Sequence, residues 1–230
     1  MEDIRRFERE NTVDAANQLP NSERFFSDVG RGGLRVLFVG NSITLHAPKP
    51  DIGWTHLWGM AASSRENDYV HQTMKLIHTL RPDADFCAAQ LASWERGYWH
   101  AADDLESVRA ARDWKPDIVV IRLGENTLEE TLREHPYAPA LIDMMNFFTR
   151  NGESRLVVTD LFWPNPAKDA EIRKAAETLK APLVHIGDLG TRDDMKAVGL
   201  FEHGGVAAHP GDLGMKTIAE RLFDVIKTMI

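Results

Sequence analysis

Leu34-Arg35-Val36-Leu37-Phe38-Val39-Gly40-Asn41-Ser42 is an apolar, β-branched run that stops on a glycine, an asparagine and a serine. A near-continuous apolar strand of this kind is buried on both faces, as in a parallel sheet. Four similar runs follow: Ala84-Asp85-Phe86-Cys87-Ala88, Asp117-Ile118-Val119-Val120-Ile121, Leu156-Val157-Val158-Thr159 and Leu183-Val184-His185-Ile186. Between them apolar residues recur at helical spacing, as in Tyr69-Val70, Met74, Ile77 and Leu80, or Met215, Ile218-Ala219, Leu222-Phe223 and Ile226. Strands alternating with helices predict an α/β fold, a three-layer α/β/α sandwich of about five parallel strands.

A chain of 230 residues is long enough for one domain with its own core. That domain is expected to span 34–230. Residues 1–33 are charged, with apolar positions at Ile4, Phe7, Val13, Phe25 and Phe26. They read as a short helix and an irregular arm ending at Gly30-Arg31-Gly32-Gly33. Two roles stay open for the arm: a segment packed on the outside of the domain, or the contact of a homodimer.

Charge and composition narrow the function. Lys and Arg number 27 against 35 Asp and Glu, a net charge of −8. A nucleic-acid surface needs clustered cations, so nucleic acid is not an expected partner. No apolar run approaches the ~18 residues of a membrane span, so no membrane is expected either. The single cysteine, Cys87, cannot form an internal disulfide or a cysteine metal cluster, and is expected to be an inert buried thiol. Met1-Glu2-Asp3-Ile4-Arg5-Arg6 lacks the apolar core of a signal peptide. As it stands the chain reads as cytoplasmic; with a leader removed it would read the same and be periplasmic or secreted.

In a doubly wound sheet, ligands sit outside the carboxyl ends of the strands, so the residues just after each strand carry the information. After the first comes Gly40-Asn41-Ser42-Ile43-Thr44, where the serine is either an exposed hydroxyl on a sharp turn or a helix cap. After the third comes Leu123-Gly124-Glu125-Asn126-Thr127, where the asparagine either aims an amide donor at the site or closes a turn. Near the end, Ala207-Ala208-His209-Pro210-Gly211-Asp212 leads into the last helix. Pro210 frames His209, and an imidazole can act as base at neutral pH.

Together, Arg35-Val36-Leu37-Phe38-Val39-Gly40-Asn41-Ser42-Ile43-Thr44, the segment from Lys115-Pro116-Asp117 to Gly124-Glu125-Asn126, and His209-Pro210-Gly211-Asp212-Leu213-Gly214-Met215 resemble blocks of the SGNH (GDSL-type) hydrolase family. The likeness is to its carbohydrate esterases and covers roughly 34–230. It implies a flavodoxin-like SGNH hydrolase fold and a serine esterase working through an acyl-enzyme, without metal or organic cofactor. Ser42 would be the nucleophile, His209 the general base, and Asn126 a donor in the oxyanion hole.

The chain departs from the family pattern in three places. Asn41 stands where Asp is usual. The segment Ala88-Ala89-Gln90-Leu91-Ala92-Ser93-Trp94 lacks the glycine whose amide usually completes the oxyanion hole, leaving the N–H of Ser93 or Ala92 to serve. Val206 stands where the family carries the aspartate that orients the histidine. Losing that acid from a working triad costs about 10⁴ in turnover, or roughly 5.5 kcal/mol of barrier. His209 must therefore be held otherwise, by Glu202 or by a backbone carbonyl in the 204–207 loop, and Glu202 is preferred for its reach.

Six tryptophans against three tyrosines point to a substrate. Trp54 and Trp58 follow the serine segment, Trp94 and Trp99 follow the second strand, and Trp163 follows the fourth. Trp114 is assigned to the core. Flat apolar faces with one polar handle suit sugar rings, so the expected substrate is a small-molecule or glycan ester, an O-acetyl sugar above all. Trp54, Trp58, Trp94, Trp163 and His46 are the expected contacts, with 47–53 as a rim around the serine. Taken singly, each tryptophan is equally an ordinary core residue. The alternatives that stay open are a non-catalytic carbohydrate-binding protein and a lipid or thioester hydrolase of the same family. A glycoside hydrolase drawing on Glu95, Glu125 and Glu202 would use paired carboxylates. A nucleotide-binding domain is disfavoured, since Gly40-Asn41-Ser42 lacks the Gly-x-Gly-x-x-Gly spacing.

Overall fold

The computed structural model describes residues 25–230. Six strands form one sheet: β1 (Phe25–Asp28), β2 (Arg35–Gly40), β3 (Asp85–Gln90), β4 (Ile118–Arg122), β5 (Arg155–Thr159) and β6 (Leu183–Val184). Their spatial order is β1-β3-β2-β4-β5-β6, with every pair parallel except β1 against β3. The expected five parallel strands are therefore present. The arm, read as irregular, instead contributes an antiparallel edge strand: Phe25 lies opposite Ala89 and Phe26 opposite Ala88. The helix expected ahead of it lies outside the described residues.

The strands alternate between two cores, as a pleat with period two requires. Leu37, Val39, Cys87, Val119, Ile121 and Val158 face one. Val36, Phe38, Phe86, Val120 and Val157 face the other. The helices are, in chain order, α1 (Tyr69–His78), α2 (Ala92–Gly97), α3 (Ala102–Glu106), α4 (Arg109–Asp113), α5 (Tyr137–Thr149), α6 (Pro166–Thr178), α7 (Gly187–Gly190), α8 (Gly204–Ala207) and α9 (Asp212–Ile226). Residues of α4, α5 and α6 complete the first core, and those of α1 and α9 the second. The result is a three-layer α/β/α sandwich. Cys87 is buried in the first core, and burial raises its thiol well above the ordinary range. Among the described residues no helix is long and apolar enough to cross a membrane.

A third, smaller cluster matters for the site. Trp54, Met60, Ala61, Ala197 and Val206 pack together, all buried. This joins the loop after β2 to the loop that leads into α9. The two segments that carry Ser42 and His209 are thereby pinned to each other by apolar burial.

At the end of β2 the backbone turns at once. The Asn41 carbonyl accepts from Thr44 N at 2.9 Å and from Leu45 N at 3.0 Å. The turn is tight enough to leave no room for a side chain at position 40: a Cβ there would lie 1.8 Å from Thr44 Oγ1. Thr44 is itself fixed by a 2.7 Å hydrogen bond with the Tyr69 hydroxyl. Gly40→Ala is therefore expected to lower stability by about 2 kcal/mol through overpacking. Urea denaturation would read this as a lower midpoint at unchanged slope, and an unaltered midpoint would contradict the tight turn.

Candidate active site

Three strand-end loops meet above β2 and β4. Ser42 sits on the turn after β2, and its Oγ lies 2.8 Å from His209 Nε2. The other ring nitrogen, His209 Nδ1, lies 2.7 Å from the carbonyl oxygen of Gly205. A carbonyl only accepts, so Nδ1 carries the proton and Nε2 presents a lone pair to the serine hydroxyl.

The availability of that carbonyl follows from local backbone geometry. α8 is a single helical turn, and a continued α-helix would give the Gly205 carbonyl to the N–H of His209. Instead His209 N donates to the Val206 carbonyl at 3.0 Å, a tightening common at helix ends. The Gly205 carbonyl is left for the imidazole of the residue four positions on. Val206 is fully buried in the apolar cluster around Trp54. An acid at that position would point into this cluster.

The preference for Glu202 is therefore corrected: Glu202 is exposed on the loop, and Gly205 O holds the ring. Burial pushes the His209 pKa down to about 4. The Gly205 hydrogen bond opposes that shift, while the nearby Arg122 and His46 add to it.

Beneath the turn lies a buried polar knot that the sequence reading did not find. The Asn41 carboxamide, fully buried, donates through Nδ2 to Glu95 Oε1 at 3.0 Å and to Glu125 Oε2 at 2.6 Å. Its Oδ1 accepts from Arg122 Nη2. Arg122, fully buried at the end of β4, also pairs with Glu125 Oε1 at 2.5 Å. Lys168 Nζ donates to the carbonyls of Glu125 and Thr127 at 3.2 and 3.1 Å. Glu95, fully buried in α2, accepts from the Gly124 backbone N–H and from Asn126 Nδ2. Burial, with the Glu125 carboxylate beside it, raises the Glu95 pKa.

Asn126, the expected oxyanion donor, is thus held by one N–H on Glu95, and its carboxamide carries a second N–H. Gly124 bends the chain ahead of it at φ +134°, where L side chains are strained, and a Cβ there would lie 2.7 Å from Leu161 Cδ2. Two of the three carboxylates weighed for a glycoside hydrolase belong to the same knot. Glu95 is fully buried, and the Glu125 side chain is 5 % exposed against Arg122.

The expected substrate contacts divide. Trp163 lies edge-on to His209, with ring centroids 5.0 Å apart, and donates through Nε1 to Ala208 O. His46 is close enough to influence the His209 charge, and its Nδ1 lies 2.6 Å from Ala47 O. Trp54 is fully buried and Trp94 is 2 % exposed, so neither offers a face to a ligand, and the expectation of substrate contacts at these two is corrected: both are core residues. Trp58 is half-buried and lies flat on His56, with its indole N–H on Ala62 O. Ser93 lies in the first turn of α2, and its hydroxyl donates to Asp104 Oδ1 at 2.6 Å.

Position 41 gives a direct test of the knot. Asn41 satisfies two carboxylates because an amide nitrogen has two hydrogens, whereas an aspartate would add a third negative group between them. Asn41→Asp is expected to cost about 3 kcal/mol, read as a lower midpoint of chemical denaturation at neutral pH. Full stability of that variant would contradict the arrangement.

Neither a family model nor a curated protein sequence matches the chain, but its backbone is shared with solved structures. A two-domain esterase active on acetylated mannans, co-crystallised with mannopentaose, superposes with a TM-score of 0.53 at 18 % identity, over 85 % of this chain and 49 % of that one. This chain thus spans about half the length of that esterase. A protein named as a GDSL-like lipase, from Bacteroides ovatus, gives a TM-score of 0.55 at 14 % identity, over 85 % of this chain and 99 % of that one. The acetyl xylan esterase AlAXEase gives 0.51 at 15 % identity, over 84 % and 100 %. The chain therefore has the fold of the GDSL-type hydrolases and the carbohydrate esterases built on it.

Proposed function

We propose that the protein is a serine esterase that hydrolyses a small acyl ester, an O-acetyl group on a sugar or glycan, through a Ser42–His209 dyad. The observation that carries this reading is the 2.8 Å contact of Ser42 Oγ with His209 Nε2, backed by Gly205 O on Nδ1.

The steps follow from the groups present. His209 Nε2 takes the Ser42 proton as Oγ attacks the ester carbonyl. The oxyanion is met by the Asn126 carboxamide and by the backbone N–H groups of Ser42 and Ser93, donors of the kind that stabilise developing negative charge. The imidazolium returns its proton to the leaving alcohol. Water, activated by the same nitrogen, then releases the acid and restores Ser42. The Gly205 carbonyl does what an acid does in a triad, in part: it fixes tautomer and ring plane, and its dipole faces the charge that forms on the ring.

Support for a glycan ester comes from two sides. Trp163 places an aromatic ring edge-on beside His209, next to the proposed reacting centre. Two proteins of the same fold are named for acetylated mannans and acetyl xylan. The lost family acid also argues less for an inert sugar-binding protein once a carbonyl fills its place.

Hydrolysis of p-nitrophenyl acetate tests the assignment. Ser42→Ala is expected to abolish turnover, Asn126→Ala to lower kcat by about 10²–10³-fold, and Glu202→Ala to leave it unchanged. Turnover that survives Ser42→Ala would overturn the reading. The pH profile is a further check. The base works only while Nε2 is unprotonated. Since burial lowers the His209 pKa to about 4, kcat/KM should hold through weak acid and fall only as pH drops through about 4. An acidic limb at the ordinary histidine value near 6.5 would contradict a desolvated ring.

A further inference from the structure

Away from Ser42, a cavity of about 470 Å³ opens between the α2–α3 segment and the start of α5. This is within the range of small-ligand pockets. Its wall carries Trp99, the one tryptophan whose residue surface is substantially exposed, at 39 %. The Trp99 ring is not loose. It lies flat on His135, with centroids 4.8 Å apart and planes within 4°. Tyr98 and His100 meet it edge-on at 5.2 and 4.9 Å. The Tyr98 hydroxyl donates to the His135 carbonyl, tying the two sides of the cavity together. A rigid aromatic wall binds a flat apolar face with little ordering cost.

The polar lining comes from Tyr98, His100 and His135 together with two carboxylates, Glu134 and Asp143, and among the described residues no Lys or Arg lines the cavity. Carboxylates accept hydrogen bonds from hydroxyl groups and repel anions. The wall therefore suits a ring with apolar C–H faces and neutral hydroxyl edges, and disfavours one that bears a carboxylate.

Its place relates it to the site. α2 carries Glu95, which is bonded to Asn41, the neighbour of Ser42. Trp99 follows four residues later, just past the end of that helix, so the cavity wall and a group bonded beneath the Ser42 turn belong to one continuous segment.

We propose that this cavity is a separate subsite for a neutral pyranose ring of the glycan whose ester Ser42 cleaves. The proposal rests on the glycan-ester reading above, and its test does not use catalysis. The wild-type protein is titrated calorimetrically with xylotetraose, mannotetraose and cellotetraose, which carry no ester, and with tetragalacturonate. At least one neutral tetrasaccharide is expected to bind, and tetragalacturonate at least tenfold more weakly. Trp99→Ala is expected to weaken neutral binding about tenfold. Glu134→Gln, on an exposed residue, is expected to narrow the gap between neutral and anionic sugars. Failure of every neutral tetrasaccharide to bind, equal binding of tetragalacturonate, or affinity untouched by Trp99→Ala would each overturn the subsite. The esterase reading would still stand or fall on the Ser42 and Asn126 variants.

Discussion

The arrangement depends on one buried carboxamide. Asn41 divides its two N–H bonds between Glu95 and Glu125 and accepts from Arg122. These partners come from α2, from the loop after β4 and from β4 itself. A single side chain therefore ties three segments together directly under the turn that carries Ser42. Unpaired charges at such depth would cost several kcal/mol each, so the knot is stable only as a complete set. Arg122 balances Glu125, and the Glu95 carboxyl is met by N–H groups of Asn41, Gly124 and Asn126. Asn126 enters the set through Glu95. The Asn126 side chain and the turn that carries Ser42 are thus positioned by the same buried group.

A second, apolar device sets His209. Trp54 packs against Val206 and Ala197, clamping the His209 loop to the Ser42 loop. The clamp explains why position 206 is valine: its side chain is part of the joint and faces away from the imidazole. The orienting role passes to the backbone, where a short helical turn closes early and leaves the Gly205 carbonyl for the ring. A neutral carbonyl offers the forming imidazolium less than a carboxylate would. The partial burial of His209 sharpens that difference. The expected enzyme is a dyad whose base stays unprotonated well into acid.

Much of this was legible in the residues, and the failures have physical causes. The five parallel strands were plain, because burial on both faces demands unbroken apolar runs. β1 escaped notice because an edge strand of four residues, Phe25-Phe26-Ser27-Asp28, needs only two apolar positions. That Ser42 and His209 would meet could be read because loops at the strand ends converge. What orients His209 could not, since a backbone carbonyl has no signature in the side chains. The tryptophans misled for a related reason. Placement after a strand says that a residue is near the site but not which way it points, and Trp54 and Trp94 turn inward while Trp163 meets His209. Arg122 did leave a signal, a charge closing the apolar run Ile118-Val119-Val120-Ile121, which points to a buried partner.

The proposed chemistry requires that the Ser42 oxygen be activated by the imidazole it touches. Treatment with a serine-directed fluorophosphonate, followed by peptide mass spectrometry, measures this directly. One adduct per chain, located on Ser42 and lost when His209 is replaced by alanine, is the predicted result. Labelling at another residue, no labelling at all, or labelling of Ser42 that persists without His209 would contradict it.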